Sequence, residues 1–428
     1  MKNTFLELKE TVFKGAQEKN IKLTDTYLDR INYELSIIMA NGFSDYFLLY
    51  SRIIGICNKL NILRSYGRNT ALNSLVNYCL DITKLDPVEY NLIFERFMLA
   101  PQKQLPDIDI DIPCGFKDLV ITNFKANFPE YFVYSIAFNP KCESGYDDII
   151  LDGLQLKKHP CGFIFTTEII VENTFIVNGH DHYFVKNTST DPFYAKKVDL
   201  VEFGYLNKIQ KIIDIIGDDY HPYKLPLSDS KVFKFLSSGD LENVFQVDKE
   251  PLPELLAKFD ISSIQDLALF KALSQRSIAF NVPRSISYKQ DIKKLPLLSS
   301  ATLNSVLSET QFLLVYQETF LQLCHLITGM DYDEAEMFRK VITKFNVLPE
   351  NIALFKSAFK EKAILANVLS EDEVELILET IVATYFNALP KGHILSYTII
   401  SYWGAYYKTY FKDVFRNICN DLSPNKNN

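Results

Sequence analysis

Through the first 63 residues apolar side chains recur at helical spacing. The run "TDTYLDRINYELSIIMANGFSDYFLLYSRIIGICNKLNI" predicts helices starting at Thr24 or Asp25 and broken at Asn41-Gly42. "RNTALNSLVNYCLDITKLDP" then predicts a helix stopped before Pro87, and "VEYNLIFERFML" a further short one. At Leu105 to Pro113 the period changes: "LPDIDIDIP" alternates isoleucine with aspartate, the signature of a strand with one apolar and one acidic face. "KDLVITNFKANFPEYFVYSIAF" reads as a helix and a short strand, and residues 139–158 as polar and irregular. Three more strands are expected in "CGFIFTTEIIVENTFIV", "HDHYFVKN" and "AKKVDLVEF". Beyond Lys208 the pattern is mostly helical, with a Pro- and Ser-rich connector near Asn281 to Ser300. The reading is an α+β chain, a mixed α/β domain over 1–205 and a helical domain over 206–428, without internal repeats.

A length of 428 residues with 47% hydrophobic content suffices for two or three domains with their own cores. No cleavable signal and no membrane-length apolar run is read, so no membrane association is expected. The seven cysteines form no CxxC pair, which excludes a zinc ribbon or a disulfide framework and suits a cytoplasmic location. The net charge of −8 means that any nucleic acid must be held in a local groove and not by the charge of the whole surface.

Three aspartates, Asp107, Asp109 and Asp111, crowd one face of the predicted strand and repel one another. They point to a cation or to chemistry; the plainer alternative is a solvated acidic edge. Two other patterns have plain readings. "QDLALF" (Gln265 to Phe270) is similar to a clamp-binding peptide but has the spacing of a packed helix, and "GHDHYF" (Gly179 to Phe184) is better read as a hairpin than as a metal pair.

With its flanks, "NSLVNYCLDITKLDPVEYNLIFERFMLAPQKQLPDIDID", the acidic strand resembles the bacterial C-family replicative polymerases, the DNA polymerase III alpha subunits. The resemblance continues in order through "SSGDLENVFQVDK", "LLVYQETFLQLCHLITGMDYDEAEMFRKVITK" and "PKGHILSYTIISYWGAYYKTYF". It implies a nucleotidyltransferase-type palm with a mixed sheet over 1–205, a vestigial thumb at about 139–158, and helical fingers over 206–428. Against the family's longer members the chain lacks the amino-terminal phosphoesterase-like domain and the regions beyond the fingers.

The resemblance assigns the catalytic and metal-ligand positions to Asp109 and Asp111, which would hold Mg²⁺ (or Mn²⁺) for nucleotidyl transfer. The family's third carboxylate lies in a segment matched here by "LVEFGYLNK", where Gly204 replaces the aspartate and Glu202 is a possible substitute ligand. The phosphate loop reads "GRNTALNSLV": Gly67, Arg68, Thr70 and Ser74 are the nucleotide-binding candidates, while Asn69 and Asn73 replace inner glycines. In the fingers Lys391 and His393 keep a nucleotide-binding motif, His393 reading alternatively as a buried, hydrogen-bonded histidine, and Arg276 is displaced by one position; in the palm His159 and Gly162 are kept at a strand entry. The implied partners are primer-template DNA and deoxynucleotide triphosphates. Two functions follow: a DNA-directed polymerase of weak or lost activity, or a non-catalytic accessory protein that binds DNA or another replication or repair factor. A nucleotide-binding scaffold without a DNA role is a third.

Overall fold

The structure, a computed structural model, describes residues 2–138, 148–151, 154–169, 174–177, 180–184, 195–275, 279–291, 298–342, 349–384 and 388–421. The chain divides into two compact units. The first comprises 1–90 and 97–210, the second 91–96 and 211–428.

The first unit opens with helices Lys2–Glu18, Asp25–Ala40 and Ser44–Lys59. Thr24 is the N-cap of the second and Asn41 its C-cap, and Gly42 turns with φ of 74°, as the sequence predicts. The expected helix ahead of Pro87 is instead a 3₁₀ turn, Asn69–Asn73, followed by the five-residue helix Leu75–Cys79. The reason is local and tertiary. Gly67 and Asn69 take positive φ (127° and 51°), which breaks a right-handed helix before it starts. The fully buried Glu34 then captures the N–H groups of Leu75 and Val76 at 2.9 Å each and the Ser74 hydroxyl at 2.7 Å, replacing the helical ladder. The short helix expected in "VEYNLIFERFML" is only the 3₁₀ turn Phe94–Arg96.

The sheet has seven strands among the described residues: β1 Asp109–Ile112, β2 Phe132–Phe138, β3 Asp148–Leu151, β4 Leu154–Thr166, β5 Thr174–Val177, β6 His180–Phe184 and β7 Lys196–Glu202. Their order is β1-β7-β4-β2-β6-β5, with β3 pairing with β4. The β1–β7 and β2–β6 pairs are parallel and the rest antiparallel, so the sheet is mixed. One face is apolar: Ile110, Leu200, Val198, Phe163 and Phe165 are buried there. Phe165 meets Phe124 of helix Lys117–Asn127 edge-on at 5.0 Å. The hairpin expected around "GHDHYF" is present as β5 and β6. Residues 148–151 and 154–158, expected to be irregular, form a β-hairpin through the pairing of β3 with β4; the rest of that stretch lies outside the described residues.

In the second unit the helix Lys391–Tyr410 is buried over most of its length, including the fully buried Trp403. The helices Gln317–Thr328 and Pro349–Ala366 pack on one another around Phe320, Phe355 and Phe359. "QDLALF" lies in helix Ile264–Leu273, buried from Leu267 to Leu273, so packing accounts for it. The predicted connector near 281–300 contains a helix, Val282–Gln290, opened by Pro283 in its first turn. Arg276 lies outside the described residues.

Candidate active site

Helix Ser44–Lys59 fixes the approach to β1. Tyr50 donates its hydroxyl to the Ile108 carbonyl at 2.5 Å and Tyr46 donates to the Pro106 carbonyl at 3.0 Å. Both tyrosines are buried, and desolvation raises both hydroxyls well above their ordinary range. With this run held, alternation puts Asp109 and Asp111 on the face opposite Ile110 and Ile112. The Asp111 side chain has no exposure and that of Asp109 only 13%.

These two aspartates are already engaged by protein donors. Ser65 Oγ donates to Asp111 Oδ2 at 2.8 Å, and an Arg68 Nη donates to Asp111 Oδ1 at 3.2 Å. Arg68 Nε lies 3.6 Å from Asp109 Oδ2, which also accepts the Asn69 amide N–H at 2.9 Å. Gly67 supplies the backbone freedom that brings the loop here: its φ is 127°, and a Cβ would stand 2.8 Å from Thr83 Cγ2. Asn69, which replaces a glycine of the resembled motif, tolerates its own positive φ and turns its amide on Asp109.

Parallel pairing sets Asp199 of β7 beside Asp109 and Val201 beside Asp111. Carboxylate oxygens of Asp107, Asp109 and Asp199 lie within 4.8 Å of one another, so these residues form an acidic group able to take a cation. Burial, then Asp107, Asp199 and to a smaller extent Asp111, push the Asp109 carboxyl up to about 7 against the pull of Arg68. Asp199 in turn pairs with Lys197 at 2.9 Å and receives the Cys161 thiol at 3.6 Å. Asp199, Cys161, Lys197 and Ser65 were not singled out as site residues from sequence. The only signal for Asp199 is its place on the polar face of "KKVDLVE", and no pattern tells which strand that face adjoins.

The other expected residues fall as follows. Glu202 pairs with Ile112 in register, on the opposite face of β7 from Asp199 and Val201, so the register turns it away from the aspartates. Its carboxylate accepts the Gly115 N–H at 2.6 Å and pairs with Lys117 at 3.2 Å. The strand ends there, and Gly204 opens helix Gly204–Ile216, where strand alternation no longer applies. Ser74 is fully buried, accepting the Asn77 N–H and donating to Glu34. Thr70 is half-buried in the 3₁₀ turn. Lys391 and His393 belong to the second unit: Lys391 is buried and pairs with Glu309 at 2.5 Å, and the His393 ring packs on Tyr397 at 4.5 Å between centroids.

Residues 6–144 match the model of the bacterial DNA polymerase III alpha NTPase domain, and residues 205–367 match that of the bacterial DNA polymerase III alpha subunit finger domain. The chain belongs to the bacterial DNA polymerase III alpha family. It is 25% identical to the DNA polymerase III subunit alpha of Staphylococcus aureus (strain COL), over 94% of this chain and 43% of that protein. It is 26% identical to the subunit of Ureaplasma parvum serovar 3, over 92% of this chain and 46% of that one. The chain therefore spans less than half the length of these relatives.

Magnesium chemistry of the polymerase kind requires open carboxylate oxygens, because Mg²⁺ demands near-octahedral oxygen coordination. At Asp109 and Asp111 protein donors compete for such oxygens. Both Asp111 oxygens accept hydrogen bonds, from Ser65 and Arg68; Asp109 Oδ2 accepts one from Asn69 and lies 3.6 Å from Arg68 Nε; and glycine stands where the resemblance puts the third carboxylate. The arrangement sets one internal cation against the two carboxylates and offsets part of their charge.

Proposed function

We propose that this DNA polymerase III alpha-like chain is a non-catalytic accessory protein of DNA replication or repair. In this reading it retains a palm (about 1–205) and helical fingers (about 206–428) as a DNA-binding platform and does not run two-metal nucleotidyl transfer. The observation that carries the proposal is the Arg68 guanidinium lying against both Asp109 and Asp111. A guanidinium hydrogen-bonded to one carboxylate and 3.6 Å from the other offsets part of their charge, which weakens the affinity of that pair for Mg²⁺ or Mn²⁺. The buried hydroxyl of Ser74 and the pairing of Lys391 with Glu309 support the same reading, since neither group is presented to a triphosphate.

Primer extension on a primed template, with Mg²⁺ or Mn²⁺ and all four deoxynucleotides, tests it. The expected product is background only, the same for the parent and for Asp111→Asn, while both bind primer-template DNA equally by fluorescence anisotropy. Extension that Asp111→Asn abolishes would overturn the proposal, and so would failure of the parent to bind any DNA. The second reading is a weak polymerase. It is favoured by the neighbouring group Asp107, Asp109 and Asp199, and it predicts that Arg68→Ala gains Mn²⁺-dependent extension.

A further inference from the structure

On the side of Asp199 away from β1, β4 contributes a donor set of another chemical kind. His159 Nδ1, Cys161 Sγ and an Asp199 carboxylate oxygen lie within 4.8 Å of one another. The sulfur is 3.7 Å from the His159 nitrogen and 3.6 Å from Asp199 Oδ1. A tetrahedral zinc ion with Zn–S of about 2.3 Å and Zn–N or Zn–O of about 2.0–2.2 Å has ligand–ligand edges of about 3.6 Å. Both distances from the sulfur thus already match the separations that such an ion would impose.

We propose that His159, Cys161 and Asp199 form a binding site for a thiophilic divalent cation of the Zn²⁺ class, separate from the aspartate pair held by Arg68. The donor types favour this class over Mg²⁺, because a thiolate and an imidazole are soft and borderline ligands that Mg²⁺ does not choose. Charge also balances: Cys161 loses its thiol proton to solvent, and the thiolate with the Asp199 carboxylate offsets the two charges of the ion. Lys197 holds Asp199 Oδ2 at 2.9 Å, which leaves Oδ1, the oxygen facing Cys161, to bind while Lys197 orients the group. Asp199 also belongs, with Asp107 and Asp109, to the acidic group on the β1 side.

The backbone is fitted to this cluster. Antiparallel pairing puts Gly162 opposite Asp199. A Cβ on Gly162 would stand 2.8 Å from His159 Nδ1, 2.9 Å from Ile136 Cδ1 and 3.1 Å from Asp199 Oδ1, so any side chain here would force His159 and Asp199 to shift. His159 Nδ1 accepts the Gly162 N–H at 2.8 Å. The Cys161 N–H points at the same nitrogen at 3.3 Å, so an entering ion takes over a lone pair that now serves two backbone N–H groups.

Titration of the full-length, chelator-stripped chain with Co²⁺, a spectroscopic substitute for Zn²⁺, tests the site. The expected result is one equivalent bound, with a thiolate-to-cobalt charge-transfer band and intense tetrahedral d–d bands, displaced by Zn²⁺ and unaffected by excess Mg²⁺. Cys161→Ser should remove the charge-transfer band and weaken Zn²⁺ binding by at least about tenfold, whereas Cys114→Ser should retain both. Circular dichroism verifies that each variant is folded, and Asp199→Asn provides a second ligand loss if Cys161→Ser misfolds. Absence of the band in the folded parent, or its survival in Cys161→Ser, would overturn the proposal. Because extension is not the readout, the result stands apart from the fate of the accessory-protein reading.

Discussion

Burial alone would raise the Asp81 carboxyl, yet the surrounding cations Arg64, Lys84 and Lys19 hold it well below the usual carboxylate range. Arg64 and Lys19 reach it at 2.8 Å and Lys84 at 2.9 Å, and Arg64 is only 2% exposed. A depressed carboxyl stabilises the fold fully above its unfolded value near 3.9, and the contribution fades as pH falls through the folded value. Asp81→Asn strands the buried Arg64 charge, so it should cost about 3 kcal/mol near neutral pH. Urea unfolding should show this deficit shrinking as pH is lowered towards about 3, where the carboxyl of the unfolded parent chain takes up a proton while the folded one stays ionised. An equal deficit at both pH values would mean that the loss is one of packing and not of charge.

At the scale of elements, two helical glycines make opposite predictions. Gly55 lies exposed within helix Ser44–Lys59, with nothing within 4 Å of an added Cβ. Gly55→Ala should stabilise by about 1 kcal/mol through helix propensity and the lost freedom of the unfolded chain. Gly15 lies in helix Lys2–Glu18 where a Cβ would stand 1.9 Å from the Cys79 carbonyl oxygen. A backbone atom cannot step aside as a side chain can, so the helix must shift off Leu75–Cys79, and Gly15→Ala should lose about 1–3 kcal/mol. Thermal melting of both variants decides it; two shifts of the same sign would refute the packing argument. Sequence could not tell these glycines apart, because both sit in amphipathic helical runs. The same limit governed the site. Alternation revealed the acidic strand, and the lack of a further ligand near "GHDHYF" favoured a hairpin there, which β5 and β6 form. The approach of Asp199 to Asp109 was not, since it depends on the parallel register of two strands nearly ninety positions apart. The helix expected ahead of Pro87 failed for a related reason: the Glu34 carboxylate, some forty positions upstream, takes the N–H groups that a helix would have used.

At the scale of the whole molecule, the second unit is built from two separate pieces of chain. Residues 91–96 belong to it although their sequence neighbours on either side belong to the first unit. Ile93 lies in its hydrophobic core. Arg96 donates to Gln317 at 2.7 Å and lies 3.4 Å from Glu336, which has no exposed surface and is also gripped by Arg339 at 2.5 Å. Truncating Arg96 leaves that buried carboxylate with a single cation and Gln317 without its donor. A hydrogen bond to a charged group is worth about 1.5–3 kcal/mol, so Arg96→Ala should speed amide exchange in helices Gln317–Thr328 and Tyr332–Ile342 by about tenfold or more. Exchange in β1, β4 and β7 should stay at the parent rate, because none of their bonds involves the segment. Mass-spectrometric hydrogen exchange on the intact chain resolves the two regions. Equal acceleration in the sheet and in these helices, or none in either, would show that Arg96 is not the tie that fixes residues 91–96 in the second unit.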